Sequence, residues 1–247
     1  MTMFKRIAQF FIIAGLCSTA ISSVRAEEKV GSTNLWKTTA SAGLTLTSGN
    51  SDTVLATAKI ETVRKWEKQD LTLGAGAAYG ENSKIKNVEN LQLFGQYNRS
   101  YSERVYFGMK VDYIHDDIAD VDYRFTLSPL LGYYLVKNEK TMLAVEAGPS
   151  LVFEKQGGVT QSFIGARIGE RFEYKINARA RVWQKAEFIP QIDDLNNYLI
   201  NAEVGIDTAI TEQVSLRAVL QDIYDNVPAL GRQKNDVRLV TGIAYKF

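Results

Sequence analysis

Ionisable side chains recur at every second position along many stretches of the chain, where apolar residues occupy the alternate positions. Fixed charges spaced in this way can attract, repel and orient dissolved ions, which is the chemistry of a polar pore wall. Basic residues outnumber acidic ones among them, so a water-filled passage with this lining would favour anionic solutes. The candidate lining residues are Lys59, Glu61, Lys110, Arg124, Glu146, Arg167, Arg171, Glu173, Arg179, Arg181, Lys185, Glu187, Glu203, Arg217 and Arg238.

The same charges could instead neutralise one another. Four acidic residues are available to pair with the bases of the polar face, namely Glu146, Glu173, Glu187 and Glu203. Buried charges must be paired or hydrated, because a lone charge out of water is costly. A closed interior filled with salt bridges is therefore the alternative to a conducting one.

Two further kinds of chemistry use residues outside this pattern. His115 is the only histidine, and it precedes Asp116 and Asp117, so a carboxylate-assisted histidine could activate water or a serine. No nucleophile motif accompanies it, so a hydrolase is the remote alternative and we assign no catalytic residue.

Clustered acids in the expected outer loops could bind divalent cations, but solvated loop acids explain them as well, because no calcium-loop spacing is present. Those acids are Asp116, Asp117, Asp120, Asp122, Asp193, Asp194, Asp222 and Asp225. We predict no metal site and no cofactor.

Elements with a period of two must position these side chains. In the first such stretch, Trp36, Leu44 and Leu46 share one parity, and Lys37 and Thr45 share the other. Alternation of this kind is typical of a β-strand with one apolar and one polar face. The pattern predicts about 12 strands of roughly 10–14 residues, longer than the roughly 5–6 residues usual in soluble proteins and long enough to cross a membrane when tilted. We predict an all-β, antiparallel, up-and-down transmembrane barrel of 12 strands, with 10 or 14 as alternatives.

The expected connections alternate between short and long, as they do in outer-membrane barrels with tight periplasmic turns and longer outer loops. The short set is 67–70, 102–104, 137–140, 175–177 and 210–213. The long set is 48–52, 81–88, 115–121, 154–161, 190–196 and 226–235. An even number of strands places both ends of the barrel chain on the periplasmic side.

Aromatic residues make up 11% of the chain, and they concentrate near the two ends of the expected strands. Amphipathic rings prefer the headgroup level of a bilayer, so two girdles are expected. The periplasmic set is Trp36, Trp66, Tyr97, Tyr101, Phe172 and Tyr245. The outer set is Tyr79, Tyr113, Tyr123, Phe153, Phe188 and Tyr198.

The first 26 residues have the features of a secretory signal peptide. Lys5 and Arg6 supply the positive start, the apolar run 7–16 follows, and Val24-Arg25-Ala26 offers a cleavage site after Ala26. We expect 27–35 to be a short periplasmic lead-in and 36–247 to form the barrel. A single cysteine and a single histidine exclude an intrachain disulfide and a Cys/His zinc site, and a net charge of +1 argues against nucleic-acid binding.

The C-terminal segment, 237–247, has apolar residues at every second place and ends in Tyr245-Lys246-Phe247. It resembles the terminal strand signal by which the barrel-assembly machinery recognises outer-membrane barrels, carried here by Tyr245 and Phe247. The segment Leu44-Thr45-Leu46-Thr47-Ser48-Gly49-Asn50-Ser51-Asp52 resembles the start of a family described as salt-induced outer-membrane proteins. This resemblance covers most of 36–247 and implies a barrel in the outer membrane. It implies no established activity.

The expected function is that of an integral outer-membrane barrel in a Gram-negative cell, forming a narrow, porin-like channel for small anionic solutes rather than an enzyme. The alternative is a structural or stress-response barrel that transports nothing, and the remote alternative is a hydrolase at the rim. The expected partners are outer-membrane lipid, lipopolysaccharide and the assembly machinery, with no nucleic acid. A monomer is favoured.

Overall fold

In the computed structural model, the residues that are described, 36–47 and 53–247, form twelve β-strands. Their bounds are β1 Trp36–Thr47, β2 Thr53–Lys65, β3 Gln69–Asn82, β4 Ile85–Ser100, β5 Val105–Asp116, β6 Val121–Lys137, β7 Thr141–Gln156, β8 Val159–Lys175, β9 Ala180–Pro190, β10 Tyr198–Ala209, β11 Val214–Asp225 and β12 Asn235–Lys246. The predicted signal peptide, the lead-in and the 48–52 connection lie outside the described residues. Within the described part of the chain, no helix is long and apolar enough to cross a membrane.

The strands close into one antiparallel barrel in which each strand pairs with its neighbours in sequence. Closure is made by β1 and β12, where Thr39–Ala42 pair with Ile243–Lys246. The fold class and the strand number predicted from the sequence are confirmed. We call the end that carries Trp36 and Phe247 the terminal end, and the end that carries the connections 191–197 and 226–234 the loop end.

Two of the connections predicted to be long are two-residue turns instead. Ser83 and Lys84 join β3 to β4 with φ of 50° and 68°, and Gly157 and Gly158 join β7 to β8 with φ of 57° and 76°. Consecutive residues with positive φ match the twist of a tight hairpin, so the flanking strands continue to the turn. The predicted loops 81–88 and 154–161 are therefore wrong, and the predicted loop 115–121 is only the four-residue turn 117–120. The connections 191–197 and 226–234 are long, as expected.

Several strands are longer than a bilayer requires. β6 and β8 each contain 17 residues, whereas about 9–11 residues of a tilted strand cross the hydrocarbon layer. The additional residues extend the barrel wall beyond that thickness.

The two faces of the wall differ as the alternation predicts. Large apolar side chains of one parity are exposed on the outside, among them Leu44, Ile60, Leu93, Phe107, Leu131, Ile164, Val204, Leu216, Leu239 and Ile243. Polar side chains of the other parity are buried inside, among them Gln96, Arg124, Ser128, Glu146, Ser150, Arg167 and Asp207. The functional chemistry of the molecule therefore lies in the lumen.

Candidate functional site: the charged lumen

Glu146, on β7, is the most completely enclosed acid of the lumen, with none of its side chain exposed. Its carboxylate accepts hydrogen bonds from the hydroxyl of Tyr106 and the amide of Gln96, both at 2.8 Å. It also pairs with Arg167 at 3.0 Å and with Arg171 at 3.1 Å. Two cations and two neutral donors satisfy one carboxylate, so this group stays ionised without water.

The network crosses the barrel from this point. Arg167 bonds Glu187 on β9 at 3.0 Å, and Lys110 on β5 reaches the same carboxylate at 2.7 Å. Lys110 also pairs with Asp112, two residues further along its own strand, at 3.1 Å. Because β5 and β9 are four strands apart in the ring, the Lys110–Glu187 pair spans the lumen instead of running along the wall.

A second crossing lies near the loop end. Arg124, on β6, pairs with Glu154 on the adjacent strand and with Asp225 on β11 at 2.6 Å. β6 and β11 are five positions apart in the ring of twelve strands, so the Arg124–Asp225 pair spans nearly the full diameter of the barrel. Gln156 donates to Asp225 at 3.1 Å, and Asp225 also accepts from the backbone amide of Val227 at 2.9 Å. The crossing therefore also positions the start of the connection 226–234.

A third group of charges lies on β2 and β9–β11. Asp207 accepts from Arg181 at 2.9 Å and from Arg217 at 2.7 Å. Glu203 pairs with Lys59 at 3.5 Å and accepts from the indole nitrogen of Trp183 at 2.7 Å. Since β2 and β10 are four strands apart, the Lys59–Glu203 pair is another crossing.

Access to water differs between these groups. Near the loop end, 7% of the Arg124 side chain is exposed, whereas near the terminal end 37% of Arg181 and 32% of Glu173 are exposed. Lys185, on β9, is enclosed by the wall and yet accessible to water, and among the described residues it makes neither a hydrogen bond nor an ion pair. The charges that act on it are those of Glu61, Glu203, Lys59 and Arg171. The lumen is thus better hydrated around Lys185 and toward the terminal end.

Three aromatic side chains inside the barrel lie flat against a glycine of the neighbouring strand. The pairs, each directly opposite in register, are Phe94 on Gly74, Tyr106 on Gly132 and Trp183 on Gly205. A Cβ atom added at any of these glycines would lie 2.0–2.1 Å from the ring. The missing side chain makes room for the ring. Two of the three rings also carry a donor, since Tyr106 donates to Glu146 and Trp183 donates to Glu203.

We expect Gly132→Ala to lower the free energy of unfolding by about 1–3 kcal/mol, because the added methyl group must displace the Tyr106 ring that holds Glu146. Gly76→Ala is the matched control, since a Cβ there has no neighbour nearer than 3.8 Å. Urea titration of both variants in detergent micelles measures the difference. Equal stability of the two would show that the ring contact is not specific.

Most of the residues predicted to line the lumen meet there. Contacts within the lumen join Lys59, Lys110, Arg124, Glu146, Arg167, Arg171, Glu173, Arg181, Glu187, Glu203 and Arg217. Lys185 and Glu61 form no ion pair with a described residue, and the charge of Glu61 acts on Lys185. Arg238 lies against Asn90, whose side-chain oxygen accepts from it at 2.6 and 2.9 Å in the orientation that satisfies both groups. Arg179 is the exception, because it lies exposed in the turn between β8 and β9.

The prediction omitted several lumen residues that the alternation could have identified. Tyr106 and Gln96 have inward parity but were not singled out because they carry no charge. Glu154 and Asp225 were assigned to outer loops, yet they lie on β7 and β11 because those strands are longer than predicted. With Asp70 and Asp236, these acids offset part of the basic excess expected from the sequence.

The rim residues considered for other chemistry are engaged in local contacts. The Nδ1 nitrogen of His115 donates to the backbone carbonyl of Asp122 at 2.9 Å. Asp116 accepts from two backbone amides of the turn that follows it. Lys86 bonds Asp117, and this hydrogen bond lowers the pKa of the Asp117 carboxyl. In the described part of the chain, no three histidine, cysteine or acidic side chains are grouped so that they could hold a metal ion.

The proposed assembly signal lies at the seam of the barrel. Tyr245 is exposed on the outer face opposite Ala40, and its ring meets that of Phe247 edge to face at 4.9 Å. The backbone amide of Phe247 donates to Thr38 at 2.9 Å. Recognition of these rings by the assembly machinery stays a prediction.

Comparison with solved structures shows the same architecture in known channels. The NanC porin superposes with a TM-score of 0.53 at 9% sequence identity, covering 85% of this chain and 100% of the porin. An outer membrane channel from Pseudomonas putida F1 superposes with a TM-score of 0.50 at 10% identity, covering 89% of this chain and 100% of that channel. At these identities the likeness shows the fold alone.

Sequence comparison leads to a family without an assigned activity. No curated protein matches the chain. One family model, described as a protein of unknown function, DUF481, matches residues 40–247. That match covers the whole described barrel except the first residues of β1. The chain belongs to the DUF481 family.

Proposed function

We propose that this protein is an integral outer-membrane barrel that forms a narrow channel for small anions. The observation that carries the proposal is the state of Lys185, whose side chain lies inside the barrel, keeps accessible surface and makes no ion pair with a described residue. A fixed, unpaired positive charge in a water-filled passage raises the local concentration of anions.

The outer surface supports the membrane location. Apolar side chains are exposed all around the barrel, from Leu44 on β1 to Ile243 on β12. An exposed apolar surface of this extent is not stable in water, whereas it matches the hydrocarbon layer of a bilayer. The channel-type architecture of the two structural neighbours is consistent with this location.

The side chains inside the barrel make the passage narrow. A ring of twelve tilted strands has a backbone diameter of about 24 Å. The Arg124–Asp225 and Lys110–Glu187 pairs cross that space. A cavity of about 30 Å³ between these crossings has room for only one or two water molecules. We therefore expect passage of water and small inorganic anions, with exclusion of sugars.

The anion preference follows from which charges water can reach. Glu146 and Asp207 form ion pairs with arginines, and their side chains are almost fully covered. Lys185, Arg181 and Lys59 keep accessible surface. Glu61 and Glu173 are also partly accessible, so the preference is expected to be moderate rather than absolute.

A closed barrel without transport is the second candidate, and the crossings themselves favour it. Arg124 and Asp225 are almost entirely covered at the loop end, where Ala229 of the connection 226–234 is buried as well. If these contacts persist without interruption, the lumen is sealed at that end and open only toward the terminal end.

Recording from planar lipid bilayers separates the two candidates. We expect purified, folded protein to give small, discrete conductance steps, with a reversal potential displaced toward that of chloride in a potassium chloride gradient. Heat-denatured protein is the control. Silent bilayers from protein that still shows heat-modifiable mobility on gels would contradict the channel and support the sealed barrel.

A further inference from the structure

An arginine lies between two tryptophans on the outer face of the barrel at its terminal end. Arg64, on β2, is directly opposite Trp36 on β1, and Trp66 follows two residues later. Its guanidinium carbon lies 5.3 Å from the centre of the Trp36 ring and 4.7 Å from that of Trp66. The parity of Arg64 is that of Ile60, whose side chain is exposed on the apolar surface. The arginine therefore belongs to the outer face and not to the lumen.

The hydrogen-bonding capacity of Arg64 is not satisfied by the protein. Its Nε atom is covered and has no hydrogen-bond partner, and among the described residues no carboxylate forms an ion pair with it. Lys137, another basic residue at the same end, does have a hydrogen-bond acceptor in the protein, since it donates to the backbone carbonyl of Glu103 at 3.3 Å. Arg64 is held in place by the two indole rings while its donors lack an acceptor.

The surroundings define which acceptor is suitable. A guanidinium presents several N–H groups in a planar fork that matches the oxygens of a carboxylate or a phosphate. The Nε atom of Arg64 is covered, so its two terminal nitrogens are the donors available to an external acceptor. Tryptophan rings at the end of a membrane strand lie at headgroup depth, where the available anion is the lipid phosphate. Leu73, exposed on the neighbouring strand toward the middle of the barrel, offers an apolar surface to the acyl chain of the same lipid.

We propose that Arg64, held between Trp36 and Trp66, binds the phosphate group of a membrane phospholipid. The site fixes one lipid against strands β1 and β2 at the terminal end of the barrel. The inference rests on the membrane location in the proposed function, but it is independent of whether the lumen conducts.

Native mass spectrometry of the full-length protein, released from detergent containing phosphatidylglycerol, tests the site. We expect the wild type to retain one lipid that Arg64→Gln loses, with affinity reduced about tenfold, as the loss of a charge-assisted hydrogen bond predicts. Arg64→Lys should bind with intermediate affinity, because it keeps the charge and loses the fork. Arg99→Gln is the matched control, since Arg99 is an exposed arginine at the terminal end of β4, two strands away from Arg64 on β2.

Two further measurements decide between the lipid and its alternatives. Inorganic phosphate added together with the lipid should not compete with it, because the acyl chain contributes to binding. Competition would overturn the assignment to a phospholipid. Thermal unfolding should show that phosphatidylglycerol stabilises the wild type and not Arg64→Gln. If Arg64→Gln is less stable by the same amount with and without lipid, and lipid retention is unchanged, the arginine serves only to pack the tryptophans and the proposal is wrong.

Discussion

Replacing Glu146 with alanine should lower the free energy of unfolding by about 3–5 kcal/mol, because removal of one partner leaves buried charges uncompensated. Glu146 is the shared partner of Arg167 and Arg171, and its side chain is fully covered. Without it, the hydroxyl of Tyr106 loses its acceptor, Arg171 loses its carboxylate partner, and Arg167 keeps only Glu187. Urea titration in detergent micelles, followed by tryptophan fluorescence, measures the change.

Glu173→Ala is the matched control for this prediction. Glu173 makes one longer ion pair, 3.3 Å to Arg181, and about a third of its side chain is exposed. Such pairs contribute about 1 kcal/mol or less. Glu146→Gln, which can still accept from Tyr106 and Gln96, should fall between the two. Equal losses for Glu146→Ala and Glu173→Ala would contradict a central role of the Glu146 network.

Replacing Lys185 with glutamate should change the ion preference of the channel from anions to cations. The substitution puts a negative charge beside Glu61 and Glu203, where the accessible lumen holds the unpaired ammonium. Because Lys185 makes no ion pair with a described residue, its loss breaks no direct contact. The new carboxylate is repelled by Glu61 and Glu203, so heat-modifiable mobility on gels must show that the variant is folded before it is recorded. We expect the reversal potential in a potassium chloride gradient to change sign.

Arg179→Glu provides the comparison for Lys185→Glu. The substitution changes the charge by the same amount, but in an exposed turn at the terminal end, where solvent ions screen the new charge. Its effect on the reversal potential should be much smaller. A larger effect of Arg179→Glu than of Lys185→Glu would place the selective region at the rim and remove the support that Lys185 gives to the channel.

The strands and their faces could be predicted from the sequence because a single physical rule connects them. Side chains of a strand alternate between two environments, so the parity of Ile60 and Lys59 alone assigns one to the outside and the other to the lumen. Strand length supplies a second argument, since strands of roughly 10–14 residues are long enough to cross a membrane when tilted and are unusual in a soluble protein.

The pairing of charges across the lumen could not be predicted in the same way. Lys110 and Glu187 are 77 residues apart, and Arg124 and Asp225 are 101 apart, so their contact depends on how the barrel closes and how far each strand is shifted against the next. The alternation of side chains shows that these residues point inward, but it does not show at which height along the barrel axis they lie.

The turns show where local signals were misinterpreted. Polar and glycine residues around Lys84 and Gly157 indicate turns, and the length of those turns was overestimated because tight hairpins with positive φ were not considered. The same error placed Glu154 in a loop and concealed its pairing with Arg124. Tyr106 has inward parity but carries no charge, so a selection of charged residues does not include it.

The most direct test asks what the exposed apolar face contacts. Cells that express the full chain are broken, their membranes are washed with alkaline carbonate, and the folded protein is followed by its heat-modifiable mobility. We expect it to remain in the outer-membrane fraction and to enter solution only with detergent. Folded, monomeric protein in the aqueous supernatant without detergent would contradict the membrane barrel and every proposal that depends on it.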